Sequence, residues 1–191
     1  MELQKLSVKF FVEESNGVAL TDFIEIFHGW IQATDGVYHD VADYSHMQAG
    51  PGIVLVAKDA HVSIDESGGR RGLVYSQKAA LLGSNQEMLR YAFHAALKNC
   101  RKLEAEPALS GKLHFAANEA VISVNDRLAG ANSQESFDEI RGDVESVAGQ
   151  LFSGAEVSLD RDSDSRQRLN VHVKTSASVD LAQALENLSR N

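Results

Sequence analysis

The sequence contains a single cysteine and two prolines, and it has no long hydrophobic run. Cys100 therefore has no partner for an intramolecular disulfide, as is usual for proteins of a reducing compartment. No apolar stretch approaches the roughly 20 residues that a membrane-spanning helix needs. The first residues also lack the charged start and apolar run of a signal peptide. These absences predict a cytoplasmic protein with no membrane partner.

Basic residues are scarce as well. The chain has 18 Lys and Arg against 27 Asp and Glu, a formal net charge of -9, and both halves share the acidic excess. Phosphate backbones attract clusters of Lys and Arg, so an acidic chain repels them and nucleic acid is not expected as a partner. The remaining composition, 43% hydrophobic and 24% charged, is that of an ordinary globular protein and predicts a folded chain.

The sequence also lacks a complete catalytic, metal or nucleotide signature. Gly-x-Ser-x-Gly, His-Glu-x-x-His, Walker A and paired Cys-x-x-Cys motifs are all absent. The Gly50-Pro51-Gly52 stretch resembles the start of a dinucleotide fingerprint, but the residues after it are typical of a strand rather than a helix. We therefore predict no cofactor, and the catalytic residues, if the protein is an enzyme, stay unknown.

What is present in the first half is a regular hydrophobic spacing. Alternation over residues 6–12 predicts a strand, and apolar residues at spacings of three and four predict an amphipathic helix over residues 20–33. Residues 53–77 are typical of an antiparallel meander. Ser84 and Glu87 then form a capping box that predicts the start of a long helix.

The second half repeats this order on a smaller scale. A hairpin is predicted over residues 113–124, and a helix is predicted to begin at Ser136. A second hairpin over residues 157–173 and a short helix over residues 181–188 complete the chain. Strand, helix, hairpin and helix thus occur twice, which leaves an internal duplication open as an alternative.

Taken together, these elements predict an α+β fold. We expect a mainly antiparallel sheet or sheets, with about four helices packed on one face. Residues 1–191 are predicted to form one compact domain. The alternative is two similar strand-helix-hairpin-helix halves, with lobes at residues 1–106 and 107–191.

The stretch from Tyr38 to His46 is the richest in side chains that carry chemistry. On a helix, His39, Asp43 and His46 would share a face, and two His with one Asp are a ligand set for zinc or iron. On a strand, His46 would point away from the other two side chains. The flanking glycines favour a strand, so the preferred interpretation is a polar sheet edge with local hydrogen bonds, and no metal is predicted.

A second candidate region is the glycine-rich stretch of residues 68–72. It offers free backbone N–H groups and two guanidinium groups, which suit an anion, although a solvated hairpin tip is the alternative interpretation. The predicted ligand surface therefore combines both regions, with the two arginines reaching a small anionic ligand. Its residues are Tyr38, His39, Asp43, Tyr44, His46, Arg70 and Arg71.

Four segments of the chain give it a family resemblance. They are Phe10–Val12, Phe23–Phe27, Asp40–Tyr44 and Gly50–Val56. On these segments the chain resembles a group of bacterial proteins with no assigned function, and the likeness runs over most of its length. The resemblance implies a bacterial cytosolic protein, and it implies no activity and no catalytic residue.

The sequence therefore predicts a small acidic binding or interaction protein that self-associates and has no catalytic activity. The alternative is a small enzyme, metal-dependent or metal-free, in which His39, Asp43 and His46 act as acid/base groups or ligands.

Overall fold

Within the residues that the structure describes, 1–15, 17–80, 82–109, 111–126 and 130–189, the computed structural model contains one eight-stranded antiparallel sheet and four α-helices. In chain order the elements are β1 (Leu6–Ser15), α1 (Asp22–Ala33), β2 (Tyr38–Tyr44), β3 (Gly52–Ala57), β4 (Ala60–Asp65), β5 (Gly72–Gln77), α2 (Asn85–Glu104), β6 (Leu113–Val124), α3 (Gln134–Leu151), β7 (Val157–Arg161), β8 (Asn170–Thr175) and α4 (Leu181–Ser189). Their order across the sheet is β2-β3-β4-β5-β1-β6-β8-β7. The predicted α+β class is confirmed.

All four helices cover the same face of the sheet. Directly opposed residues of antiparallel strands share a face, and the pairing places four buried side chains in one row under the helices. These are Val8, Tyr75, Val62 and Leu55. At the centre of this layer, Phe10 of β1 makes an edge contact with Phe93 of α2. The alternation in β1 therefore arises because only one of its faces meets the helices.

The two halves of the chain meet in the middle of the sheet. β1 and β6 pair with each other, although they lie on opposite sides of the predicted lobe boundary. Each is followed by a helix and then by strands, the last of which, β5 or β8, pairs back onto it. The order of elements thus repeats, but the first half has a four-stranded meander where the second half has a hairpin.

Two predicted boundaries are wrong. Residues 113–124 form the single strand β6 rather than a hairpin, since this strand pairs along β1 from Ser15 to Leu6 and takes up irregular register shifts on the way. These shifts interrupt the alternation of buried and exposed side chains along the strand. In the sequence, that interruption resembles a turn. Helix α3 begins one turn earlier than predicted, because Ser133 rather than Ser136 is its N-cap and accepts from the Ser136 N–H.

The long helix α2 forms as its sequence predicts. The capping box between Ser84 and Glu87 is present in full. Cys100 is buried, and this burial raises the pKa of its thiol well above the usual value. Among the described helices, none combines the length and the apolar character needed to cross a bilayer.

The face opposite the helices, here called the open face, has no helix over it in the described part of the chain. Its central side chains are mostly small or β-branched. They are Val54, Val56, Ser63, Val74, Ser76, Ser7, Val121 and Ser123. Two charged residues, Lys9 and Asp65, are buried among them and form an ion pair.

His61 also lies on the open face, and it makes folding stability depend on pH. Its Nδ1 is buried without a hydrogen-bond partner, and burial, helped by the charge of Lys78, lowers its pKa. The native state therefore holds this proton less tightly than the unfolded chain does. The stability that this difference contributes is present above about pH 6.5 and is lost as the pH falls.

We accordingly expect the free energy of unfolding to fall less steeply between pH 7.5 and pH 5 in His61→Gln than in the wild type. Urea denaturation at several pH values measures this slope, with exposed His28→Gln as the control. Equal slopes for His61→Gln and the wild type would contradict the assignment.

Candidate functional site

Three loops at one end of the sheet enclose a polar cleft of about 660 Å³, here called the loop cleft. Ser15 ends β1 and Leu20 lies between β1 and α1, residues 45–51 connect β2 to β3, and residues 66–71 connect β4 to β5. Because β1, β2 and β4 all end on this side, their connections converge here. The volume lies within the roughly 300–1,000 Å³ of small-molecule sites.

Arg71 is a positively charged residue on the wall of the loop cleft, and hydrogen bonds hold its guanidinium in place. Its Nη1 donates to the carbonyl oxygen of Val18 at 2.7 Å. Its Nε donates to Oε1 of Glu66 at 2.8 Å, and Nη2 lies 2.6 Å from the same oxygen in an ion pair. This two-nitrogen edge is the part of a guanidinium that binds carboxylates and phosphates. Glu66 Oε1 therefore occupies the position where a ligand oxygen would bind.

Two glycines keep the space beside Glu66 open. Gly68 and Gly69 have φ values of 71° and 74°, a left-handed conformation that disfavours side chains. A Cβ at either position would meet nothing within 4 Å. The turn thus leaves room for a ligand next to Arg71.

Arg70 points elsewhere. Its guanidinium binds Glu119 through two hydrogen bonds, of 2.7 and 3.1 Å, and lies 3.7 Å from the centre of the Phe11 ring. The pairing raises the pKa of Arg70 and lowers that of Glu119. The structure therefore separates the two predicted arginines. Each of them binds a carboxylate, and the side chain of Arg70 is still 51% exposed.

The acidic residues of β2 make local hydrogen bonds along the sheet edge. Asp40 accepts from the N–H of Val41, and Asp43 accepts from the N–H of Ser45, both at 2.8 Å. The hydrogen bonds from Ser45, and less strongly the charge of His46, hold the pKa of Asp43 below its usual range. A carboxyl of low pKa is a weak base at neutral pH. Asp40 thus occupies a backbone donor of the edge strand, which limits pairing with other chains, and Asp43 occupies a donor of the connection that follows it.

The remaining predicted residues are divided between the two ends of β2. Tyr38 packs half-buried against Trp30, and burial raises the pKa of its hydroxyl. The seven residues from Tyr38 to Tyr44 span about 20 Å of strand, which also keeps His39 away from the loop cleft. Tyr44 and His46, by contrast, are neighbours in sequence of Ser45 and Met47, which line it.

The structure thus brings one end of the Tyr38–His46 stretch close to Arg71, but it does not gather His39, Asp43 and His46. Across the described ranges, no group of three His, Cys, Asp or Glu side chains could hold a metal ion. Sequence reasoning missed Glu66 and the carbonyl of Val18. The only local signal was the acid that precedes the two glycines in Glu66-Ser67-Gly68-Gly69.

No protein-family model matches this chain, and no curated protein matches its sequence.

Proposed function

We propose that this protein is a cytoplasmic binding protein without catalytic activity, and that its loop cleft takes a small organic anion, a carboxylate or a phosphate ester. The observation that supports this most directly is the fixed guanidinium of Arg71. The Val18 carbonyl orients it, and its two-nitrogen edge is occupied only by the flexible side chain of Glu66. A ligand that replaces Glu66 would find the guanidinium already ordered, which lowers the entropic cost of binding.

The energetics of the Glu66–Arg71 pair allow this exchange. The side chain of Glu66 is 48% exposed, whereas that of Arg71 is 17% exposed. Ion pairs with an exposed partner contribute about 0–1 kcal/mol. Displacing Glu66 therefore lowers the affinity for a ligand by about fivefold at most. Gln48 also lines the cleft, and its amide can bind the remaining polar atoms of a ligand.

Self-association of the chain belongs to the same proposal. Among the described residues, several of the exposed large hydrophobic side chains flank or end the edge strand β2. They are Val37, Tyr44 and Met47. A free sheet edge with apolar neighbours favours contact with a second copy, although Asp40 restricts direct strand pairing.

Glu66→Gln is expected to raise the affinity for a small anion by up to about fivefold, because it removes the carboxylate that competes for Arg71. Arg71→Gln is expected to abolish binding. Isothermal titration calorimetry with inorganic phosphate and with succinate, at low ionic strength, measures both effects.

Arg70→Gln is the matched control, since it removes a neighbouring guanidinium that faces the open face rather than the cleft. It should bind both anions as the wild type does. The proposal is wrong if Glu66→Gln binds both anions more weakly than the wild type, or if folded Arg71→Gln binds them as tightly as the wild type.

A further inference from the structure

A second concave surface runs along α1, on a different part of the molecule from the loop cleft. It has a volume of about 630 Å³, and we call it the α1 groove. One wall is the helix itself from Asp22 to Ala33, a length of about 16 Å. The other wall includes Leu109 and Lys112, from the connection between α2 and β6.

The floor of the α1 groove is apolar. Ile26, Trp30 and Leu109 line it, and all three are packed into the core so that only their outer edges face the groove. Gly29 leaves the middle of the helical wall open, because a Cβ there would meet nothing within 4 Å. A glycine lowers the stability of a helix interior, and no close neighbour within the chain requires one at this position.

The rim of the α1 groove is acidic. Asp22, Glu25 and Glu106 line it together with a single cation, Lys112. Glu106 also accepts a hydrogen bond from the indole N–H of Trp30, which brings its charge to the apolar floor. The indole ring already binds one ammonium, since Lys102 Nζ lies 3.6 Å from its centre. Apolar floor and acidic rim together complement a ligand that is both apolar and cationic.

We infer that the α1 groove binds a segment of a partner protein that carries large apolar side chains along one side and Lys or Arg beside them. A groove of about 16 Å fits about three turns of an amphipathic helix, a common mode of peptide recognition. The acidic rim repels nucleic acid and anionic lipid surfaces. This inference does not depend on the loop cleft.

A displayed library of random 12-residue peptides tests the inference on the intact protein. Selection is expected to enrich peptides that combine at least two Lys or Arg with large apolar residues. Trp30 is the single tryptophan of the chain, so its fluorescence reports binding of a selected peptide directly. Affinity should fall as the ionic strength rises.

Gly29→Gln is the blocking variant, because the glutamine side chain would project into the groove. Glutamine also has a higher helix propensity than glycine, so the variant should not destabilise α1. It should abolish peptide binding. Gly142→Gln is the matched control, since Gly142 lies in α3 and a Cβ there also meets nothing within 4 Å. Asp22→Asn combined with Glu25→Gln should weaken binding by about fivefold.

Three results would overturn the inference. Selection could yield no binding peptides, it could yield peptides without cations, or the selected peptides could bind Gly29→Gln as tightly as Gly142→Gln. Sedimentation velocity tests for a different occupant of the groove, a second copy of this chain, which would also overturn the inference. If Gly29→Gln, but not Gly142→Gln, dissociates an oligomer of the wild type, the groove holds a second copy and not a foreign segment.

Discussion

Replacing Gly52 with alanine is expected to lower the free energy of unfolding by more than about 3 kcal/mol. Gly52 begins β3 with a φ of 69°, in the left-handed region that L side chains rarely adopt. A Cβ there would lie 2.0 Å from the carbonyl oxygen of Ile64 on the neighbouring strand β4. Because the obstacle is backbone, relief requires the two strands to move apart at the end that bears the loop cleft.

Gly68→Ala separates the cost of the left-handed backbone from the cost of the clash with the Ile64 carbonyl. Gly68 has nearly the same φ, 71°, but a Cβ there meets nothing within 4 Å. Its cost is therefore the backbone strain alone, about 1 kcal/mol. Urea denaturation of both variants gives the comparison. Equal losses would mean that the close approach between Gly52 and β4 is absent.

Breaking the ion pair between Lys9 and Asp65 is the second large effect that we expect. Both residues are only 9% exposed, in the middle of the open face. Lys9 Nζ also donates to the carbonyl oxygens of Ser67 and Arg70, so it ties β1 to the turn that carries Arg71. Lys9→Met or Asp65→Leu alone leaves an unpaired buried charge, at a cost of about 3–5 kcal/mol.

The double variant Lys9→Met/Asp65→Leu is expected to be more stable than either single variant. Apolar residues of similar volume often replace a buried ion pair with little loss, whereas removing one partner is strongly destabilising. A double-mutant cycle by urea denaturation measures the coupling between the two residues. Additive losses in the double variant would show that the two charges do not depend on each other.

Those parts of the fold that bury one face along their length could be predicted from the sequence. The alternation in β1 and the apolar stripe of α2 follow directly from their contact with the opposite layer. The strand β6 could not, because its register shifts against β1 break the period of two. Its pairing with β1 also joins residues about a hundred positions apart, which local spacing does not record.

The candidate site was predictable only where its chemistry is local. The edge character of residues 38–46 and the glycine turn at residues 68–72 are visible in the sequence. The distant partner of Arg71 is the carbonyl of Val18, 53 positions earlier, and this contact requires β5 to lie beside β1. Hydrophobic periodicity predicts strands, but it does not fix their order in the sheet.

The α1 groove shows the same limit in another form. Its opening depends on the absence of a side chain at Gly29 and on Leu109, which follows the distant helix α2. A glycine within a helix is also compatible with close packing against a neighbour, whereas the structure has open space beside Gly29. A missing side chain has the same appearance in a sequence whether a neighbour or a ligand fills the space.

The arginine Nε–Hε signals in a ¹⁵N NMR titration of Glu66→Gln with inorganic phosphate report directly on whether Arg71 is the anion-binding group. We predict that one Nε–Hε signal, identified by its loss in Glu66→Gln/Arg71→Gln, shifts and saturates together with the backbone amides of Gly68 and Gly69. If that signal stays in place while the signal of Arg70 or of residues along α1 shifts, the anion binds elsewhere and the assignment of the loop cleft is contradicted.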